Sequence, residues 1–524
     1  GDITVHQGSM FVYTHVTLTS GTINGDAYGG GLGDDEHAAL VNGNVTVTQN
    51  GVPFVSATTQ DDKGNTVVTA GRIFGCNNLN GSPQGTVLVL VNQTSTNPTE
   101  GTYDMNAVYG GGNLAPYNPS TLPTAGQFTS YTNKSGTTVA HDATGKPIQV
   151  VVNGCDNVSV EYVYGGGNAA PTPCTDVLVL GAYEIGYVFG GGNGKDRYTR
   201  DGGTTWNANP GADVGLINGS NYGSGDANTA LYGGRIHEAY GASNQKGTIK
   251  GDINLDVKEG EVTCDLNVDK IVGAGKNADV DGDIIMVMGC MPADKKTNLV
   301  FGGADNANVD GNVELTITSG TFGQVFGGNN LGGIIKGHIK VNIEETGCNP
   351  IKIDELYLGG NQAAYSIFGY YEDGTLTDGR TKYSPRTSAD DTHTAVTGNH
   401  TAPYAQPVLN VISCTYIGKV FGGGLGTGAA MYADPTVNIN MIPGEYADRI
   451  PVDDNNPDKL GEVENVYGGG NEAAVYGNTT VNVGTEINNT IHLTSTNNDE
   501  TVIGAYITGT VYGRSEERRV GKEC

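Results

Sequence analysis

Four pairs of adjacent acids are the residues best suited by type to acid–base chemistry: Asp34-Asp35, Asp61-Asp62, Asp390-Asp391 and Asp453-Asp454. Two carboxylates can cleave a glycosidic bond when one keeps its proton and the other does not, provided both face the same bond. Neighbours on an extended chain point apart, and all four pairs fall in turn-like or inserted segments. They read as solvated turns, so no catalytic residue is assigned.

Metal chemistry has a clearer pattern. Asn277-Ala278-Asp279-Val280-Asp281-Gly282-Asp283 and Asn306-Ala307-Asn308-Val309-Asp310-Gly311-Asn312 place oxygen ligands at alternate positions before a turning glycine, as the first half of an EF-hand loop does. Position twelve of such a loop needs a bidentate Glu, and Met288 and Ile317 stand there instead. Calcium is therefore the one cofactor the sequence admits, with Asp279, Asp281, Asp283 and Asp310 as its ligands. The competing reading is an Asp/Asn-rich corner leading into a strand. Gly191-Gly192-Asn193-Gly194-Lys195-Asp196 matches one calcium-binding nonapeptide, but that fold needs consecutive copies. Arg235 and His237 share one face of a strand and read as a surface ladder.

These residues are carried by a repeat. An apolar residue and an aromatic, followed by glycines and often Asn, recur as Val108-Tyr109-Gly110-Gly111-Gly112-Asn113, Val163-Tyr164-Gly165-Gly166-Gly167-Asn168 and Val188-Phe189-Gly190-Gly191-Gly192-Asn193. The phrase returns at Leu231-Tyr232-Gly233-Gly234, Phe301, Phe326, Phe421 and Tyr467, with worn copies at Phe74, Val272 and Tyr512. Before it come strand-like alternations such as Asn312-Val313-Glu314-Leu315-Thr316-Ile317 and His338-Ile339-Lys340-Val341-Asn342-Ile343. Phe301 to Phe326 and Tyr164 to Phe189 are each 25 residues apart, too short for a domain and right for one coil. The fold class expected is all-β: a right-handed parallel β-helix, or β-solenoid, over residues 1–513. About a dozen coils at about 4.8 Å each would make it roughly 60 Å long. Tyr109, Tyr164, Phe189, Phe301, Phe326, Phe421 and Tyr467 should form one inward, buried row, with glycines allowing the corner. A phosphate-cradling loop is excluded, because a dozen copies lack the Lys and helix that such a site needs.

Gly-Asn-x-x-Val-x-Val strands such as Gly477-Asn478-Thr479-Thr480-Val481-Asn482-Val483, alternating with Val-Tyr-Gly-Gly-Gly-Asn, resemble the glycine-rich β-helix repeats of secreted surface proteins and adhesins of gut-type bacteria. The resemblance implies export and an adhesive or structural role. Parallel β-helices also host polysaccharide lyases and hydrolases. Against that reading, Gly337-His338-Ile339 lacks the rest of a polygalacturonase-type signature, and the bases a pectate lyase sets beside its aspartates are scarce. A polysaccharide-active enzyme stays as the alternative to a non-enzymatic binder.

Composition narrows the partners. Acids outnumber bases 56 to 28, for a net charge of -28, which disfavours nucleic acid and anionic membranes. No apolar run is long enough for a transmembrane helix. Gly1-Asp2-Ile3-Thr4-Val5 opens strand-like with no signal peptide, so the chain is expected to be a fragment of an extracellular or cell-surface protein. Residues 514–524 break the composition, resemble a translated sequencing adapter and are expected to pack on nothing. The other seven cysteines form no Cys-x-x-Cys pair. Most are expected to be small buried residues, with Cys155–Cys174 and Cys264–Cys290 as the candidate disulfides between adjacent coils.

Inserts at 49–71, 114–147, 194–228, 370–407 and 443–462 lengthen particular coils. Those at 114–147, 194–228 and 370–407 each follow the aromatic-glycine phrase and should emerge along one edge. They carry Tyr117, Tyr131, Tyr198, Trp206, Tyr222, Tyr371, Tyr383 and Tyr404, rings suited to stacking on a glycan or packing on a host or neighbour-cell protein. Trp206 is the expected anchor.

Overall fold

In the computed structural model, residues 13–260, 262–396, 405–484 and 504–514 are described; Tyr404 and most of the tail lie outside them. Strands account for every regular element among these residues except one 3-10 turn, Ala447–Arg449. None of their helices is long and apolar enough to cross a membrane.

The chain winds as a parallel β-solenoid. Ile253–Val257, Ile284–Met288, Val313–Ile317 and Ile339–Ile343 stack in register as one wall, with Val313 beside Ile339 and Ile317 beside Ile343. Leu266–Val272, Lys296–Phe301, Gly320–Phe326 and Ile351–Tyr357 stack as a second wall. The first wall runs from Thr14–Leu18 to Thr480–Val483, and the second from Ala27–Tyr28 to Val511–Tyr512. A third side is a line of single bridges, Thr172 to Val214, Ile249, Val280, Val309 and Ile335. Alternation explains the interior. Val313, Leu315 and Ile317 are buried while Glu314 and Thr316 between them are partly exposed, since successive side chains point to opposite faces.

The aromatic row is real but lies on the other side of its wall. Tyr28, Phe74, Tyr109, Tyr164, Phe189 and Tyr240 stack in one run, and Phe301, Phe326, Tyr357, Phe421, Tyr467 and Tyr512 in another. Val272 stands between the two runs. Centroids are 4.6 to 5.2 Å apart and planes within 11°. That spacing is the strand spacing itself. The rings form a cluster separate from the interior that holds Val108, Val163 and Val300. The rings are buried as expected but not inward: one residue of pleat places valine inside the coil and the following ring on the outer side of the wall. The ring of its coil is Tyr240, not Tyr232, which packs on the outer face of the first wall beside Leu178 and Val262.

The phrase glycines serve close approach rather than unusual backbone angles. None of Gly110, Gly165 and Gly190 has positive φ. A Cβ on Gly110 would lie 2.3 Å from the carbonyl oxygen of Gly165, and one on Gly165 would lie 2.3 Å from that of Gly190.

The disulfides differ from the expected pairs. Cys155 joins Cys264 and Cys290 joins Cys348, while Cys76, Cys174 and Cys414 are buried free thiols. All four bonded cysteines sit where a coil turns from the first wall to the second; Cys174 sits at another corner, just before its strand, and cannot reach Cys155. The two coils between Cys155 and Cys264 turn this corner without a loop, through Gly181-Ala182 and Gly233-Gly234. The flanking loops therefore close over them. A side chain on Gly181 would strike both sulfurs, at 2.5 and 2.9 Å.

Candidate functional site

The corner after the glycines is bound by a hydrogen-bonded file of amides. Asn113 Nδ2 donates to Asn78 Oδ1, Asn168 to Asn113, Asn193 to Asn168 and Asn244 to Asn193, at 2.8 to 3.0 Å. Gln245 shifts the file by one residue and passes it to Asn277 and then Asn306. Every amide donates toward the N-terminus, Gln245 to its neighbour Asn244 and the others to the preceding coil, so the file has a direction. Its first member, Asn78, accepts from Asn113, and its own Nδ2 has no protein acceptor among the described residues. The file also touches the ring row: Asn193 Nδ2 donates to the Tyr109 hydroxyl, and Tyr164 donates to Asn193 Oδ1.

Two insert hairpins fold back over this corner. Residues 194–209, closed by a Tyr198–Asn207 bridge, reach the start of the file. Arg197 binds the Trp206 carbonyl at 2.5 Å and Asp62 at 3.1 Å, and Arg200 reaches Asp35 at 2.8 Å. Asp61 takes backbone and side-chain hydrogen bonds from Asn65 inside the hairpin Ala57–Gln60/Thr66–Ala70. Two of the acid pairs thus hold loops in place. In a third, Asp391 caps the backbone of Thr387 and His393, which draws its carboxyl down to about 2. In the fourth, Asp453 caps Asn455.

Between the hairpins lies a groove of about 240 Å³, lined by Tyr28, Arg72, Asn78, Asp196, Tyr198 and Trp206 among others. Arg72 is locked to Asp26 through Nε and Nη2, at 3.1 and 2.7 Å. Burial raises the Asp196 carboxyl, although Lys195 and Arg72 oppose the shift. Farther along the same corner the hairpin Tyr370–Thr375/Thr381–Pro385 reaches the far end of the file. Arg380 Nη1 donates to the carbonyls of Asn306 and Asn277, at 2.5 and 3.3 Å. The larger groove beside it, about 600 Å³, includes Asp279, Asn308, Leu331, Arg380 and Tyr383.

The expected aromatics divide accordingly. Trp206 and Tyr198 line the first groove and Tyr383 the second, all half-buried. Tyr222 is half-buried and donates to the Pro119 carbonyl, joining two inserts, and burial pushes its hydroxyl up to about 12. Tyr371 stacks on His393 at 3.9 Å, outside both grooves. Tyr117 and Tyr131, expected on the binding edge, lie elsewhere: Tyr117 is fully enclosed in the interior and bonds Gly85, and Tyr131 packs over Leu178 and near Tyr232. The 114–147 insert crosses to the outer face of the first wall, where its hairpin Ser130–Thr132/Thr138–Ala140 covers an apolar patch. The single edge expected for three inserts is built by two of them.

The four aspartates read as calcium ligands are dispersed by the same stacking. Asp279 accepts both the backbone and side-chain N–H of Asn308, and burial raises its carboxyl. Asp281 pairs with Lys250, and Asp310 with Lys336 at 2.7 Å. Asp283 accepts the Asn312 backbone N–H at 2.7 Å. Among the described residues no three His, Cys, Asp or Glu converge as a metal site. Arg235 and His237 do form a ladder, with Asp269 and the buried Glu184. Asn78, Asp196 and Arg72 were not singled out for the groove. Their signal was phase: Asn78 occupies in a worn copy the place that Asn113 and Asn168 occupy in clear ones.

No protein-family model, curated protein or solved structure matches this chain.

Proposed function

We propose that this protein is a secreted or cell-surface solenoid with a structural and adhesive role, which binds glycans or protein partners through its insert hairpins and turns over no substrate. One observation carries the reading: hairpins about 180 residues apart in sequence fold back onto the same corner, and each walls a groove with rings and polar groups. Two disulfides suit an oxidising compartment, and the -28 charge suits a soluble surface that repels nucleic acid. The adjacent acid pairs that an enzyme would need are engaged in loop contacts. The test is a glycan array and a surface-protein pull-down run beside a reducing-end release assay. The reading expects retention that falls when residues 195–208 are replaced by a short Gly-Ser linker, and no released ends. Release of reducing ends would make the protein a polysaccharide-active enzyme instead.

A further inference from the structure

We propose that the groove between the 57–70 and 194–209 hairpins is a binding site for an uncharged pyranose residue of a polysaccharide. This rests on the binding role proposed above and names its ligand class. Three lining residues keep a hydrogen-bond donor with no protein acceptor among the described residues: Asn78 Nδ2, Trp206 Nε1 and the Tyr198 hydroxyl. Asn78 does so for a structural reason, because the amide file runs in one direction and its first member must end with a free N–H. Leu32 replaces Asn at that place in the preceding coil, so nothing continues the file. Asp196 supplies an acceptor on the same wall. Vicinal sugar hydroxyls both donate and accept, and a pyranose ring has apolar C–H faces that pack on indole and phenol rings. The groove has room for about one such ring.

Charge decides the class of sugar. The arginines at the groove each have a carboxylate: Arg72 has Asp26, Arg197 has Asp61 and Asp62, and Arg200 has Asp35, which leaves Lys195, beside Asp196, as the one cation there with no ion pair among the described residues. Asp196 adds a further acid. Acids still outnumber bases there, Asp26, Asp35, Asp61, Asp62 and Asp196 against Arg72, Lys195, Arg197 and Arg200, so the carboxylate of a uronic or sialic acid would meet net repulsion and a neutral sugar would not.

Titration of the intact chain with neutral gluco- and manno-oligosaccharides, against oligogalacturonates, tests the assignment. Trp206→Ala removes the ring. Asn78→Asp removes the free donor but keeps the oxygen that Asn113 needs, so it reports even if the first variant misfolds. Tyr383→Ala in the other groove is the control. The expected result is neutral-sugar binding weakened about tenfold or more by each of the first two changes and untouched by the third. Neutral binding that survives both changes, or a preference for oligogalacturonates, overturns this groove and leaves the broader binding role standing. Failure of the unmodified chain to retain any glycan or surface protein overturns both.

Discussion

Gly165 shows how little freedom a repeat residue has. Its missing Cβ leaves room for the Gly190 carbonyl of the next coil, and backbone cannot move aside as a side chain can. Gly165→Ala should lower the melting temperature through a loss of about 1–3 kcal/mol, whereas Gly136→Ala, in open space but at positive φ, should cost about 1 kcal/mol. Glu345 is a different kind of liability. It is buried, its Oε2 accepts from Ile351 and Thr415, and its Oε1 has no partner. Burial raises its carboxyl above the ordinary range. The folded state therefore holds this proton more tightly than the unfolded one. Its stabilising effect is complete at pH below the unfolded value and is lost as pH rises through the folded value. Glu345→Gln, which is neutral at every pH, should raise the melting temperature at pH 8 and leave it nearly unchanged at pH 4. An equal shift at both values would show that desolvation of the charge is not the cause.

Among the elements, corners are less uniform than walls. Each wall strand pairs with its equivalents, so its position follows from the stacking. Corner loops obey no such rule, and two of them are fixed by disulfides instead. Closing loops of 109 and 58 residues constrains the unfolded chain, by an amount on the order of 4 kcal/mol for each bond. Reduction, or the paired change Cys155→Ala and Cys264→Ala, should lower the melting temperature by several degrees. If reduction leaves melting unaltered, the loops are held by packing alone. The 194–209 hairpin contributes little to the interior and is held by ion pairs through Arg197 and Arg200. The Arg200–Asp35 pair is exposed, so it is worth little and salt screens it, whereas the Arg197 side chain is largely covered and also faces the enclosed Asp61 carboxylate. Replacement of the hairpin by a linker should lower melting by no more than a few degrees while weakening retention.

At the scale of the whole molecule, a solenoid is nearly one-dimensional, because each coil touches only its neighbours and stability is a sum along the stack. The stapled stretch between Cys155 and Cys348 should therefore resist opening longer than the coils of residues 14–74. Native-state hydrogen exchange under mild denaturant should show amides of Ile253–Val257 and Val313–Ile317 exchanging last. Uniform protection would mean that the stack opens as one cooperative unit.

Sequence alone determined the coil, its parallel stacking and the membership of most of the ring row, because a repeat places equivalent residues at equivalent heights. Period-two alternation in Asn312–Thr318 and 25-residue spacing between phenylalanines suffice for that. It did not determine which face of the wall Phe301 would occupy, since Val300 and Phe301 are both apolar and only the packed coil shows which one the interior admits. It also gave Cys155 the wrong candidate partner, Cys174: the cysteine it joins, Cys264, lies three coils away, brought near by glycines that let the intervening coils turn tightly. The groove at Trp206 was legible as an aromatic insert, but its floor was not. Asn78, Arg72 and Asp196 meet there only after the chain has folded back on itself, and the path of a hairpin across a corner depends on ion pairs between inserts that no local pattern encodes.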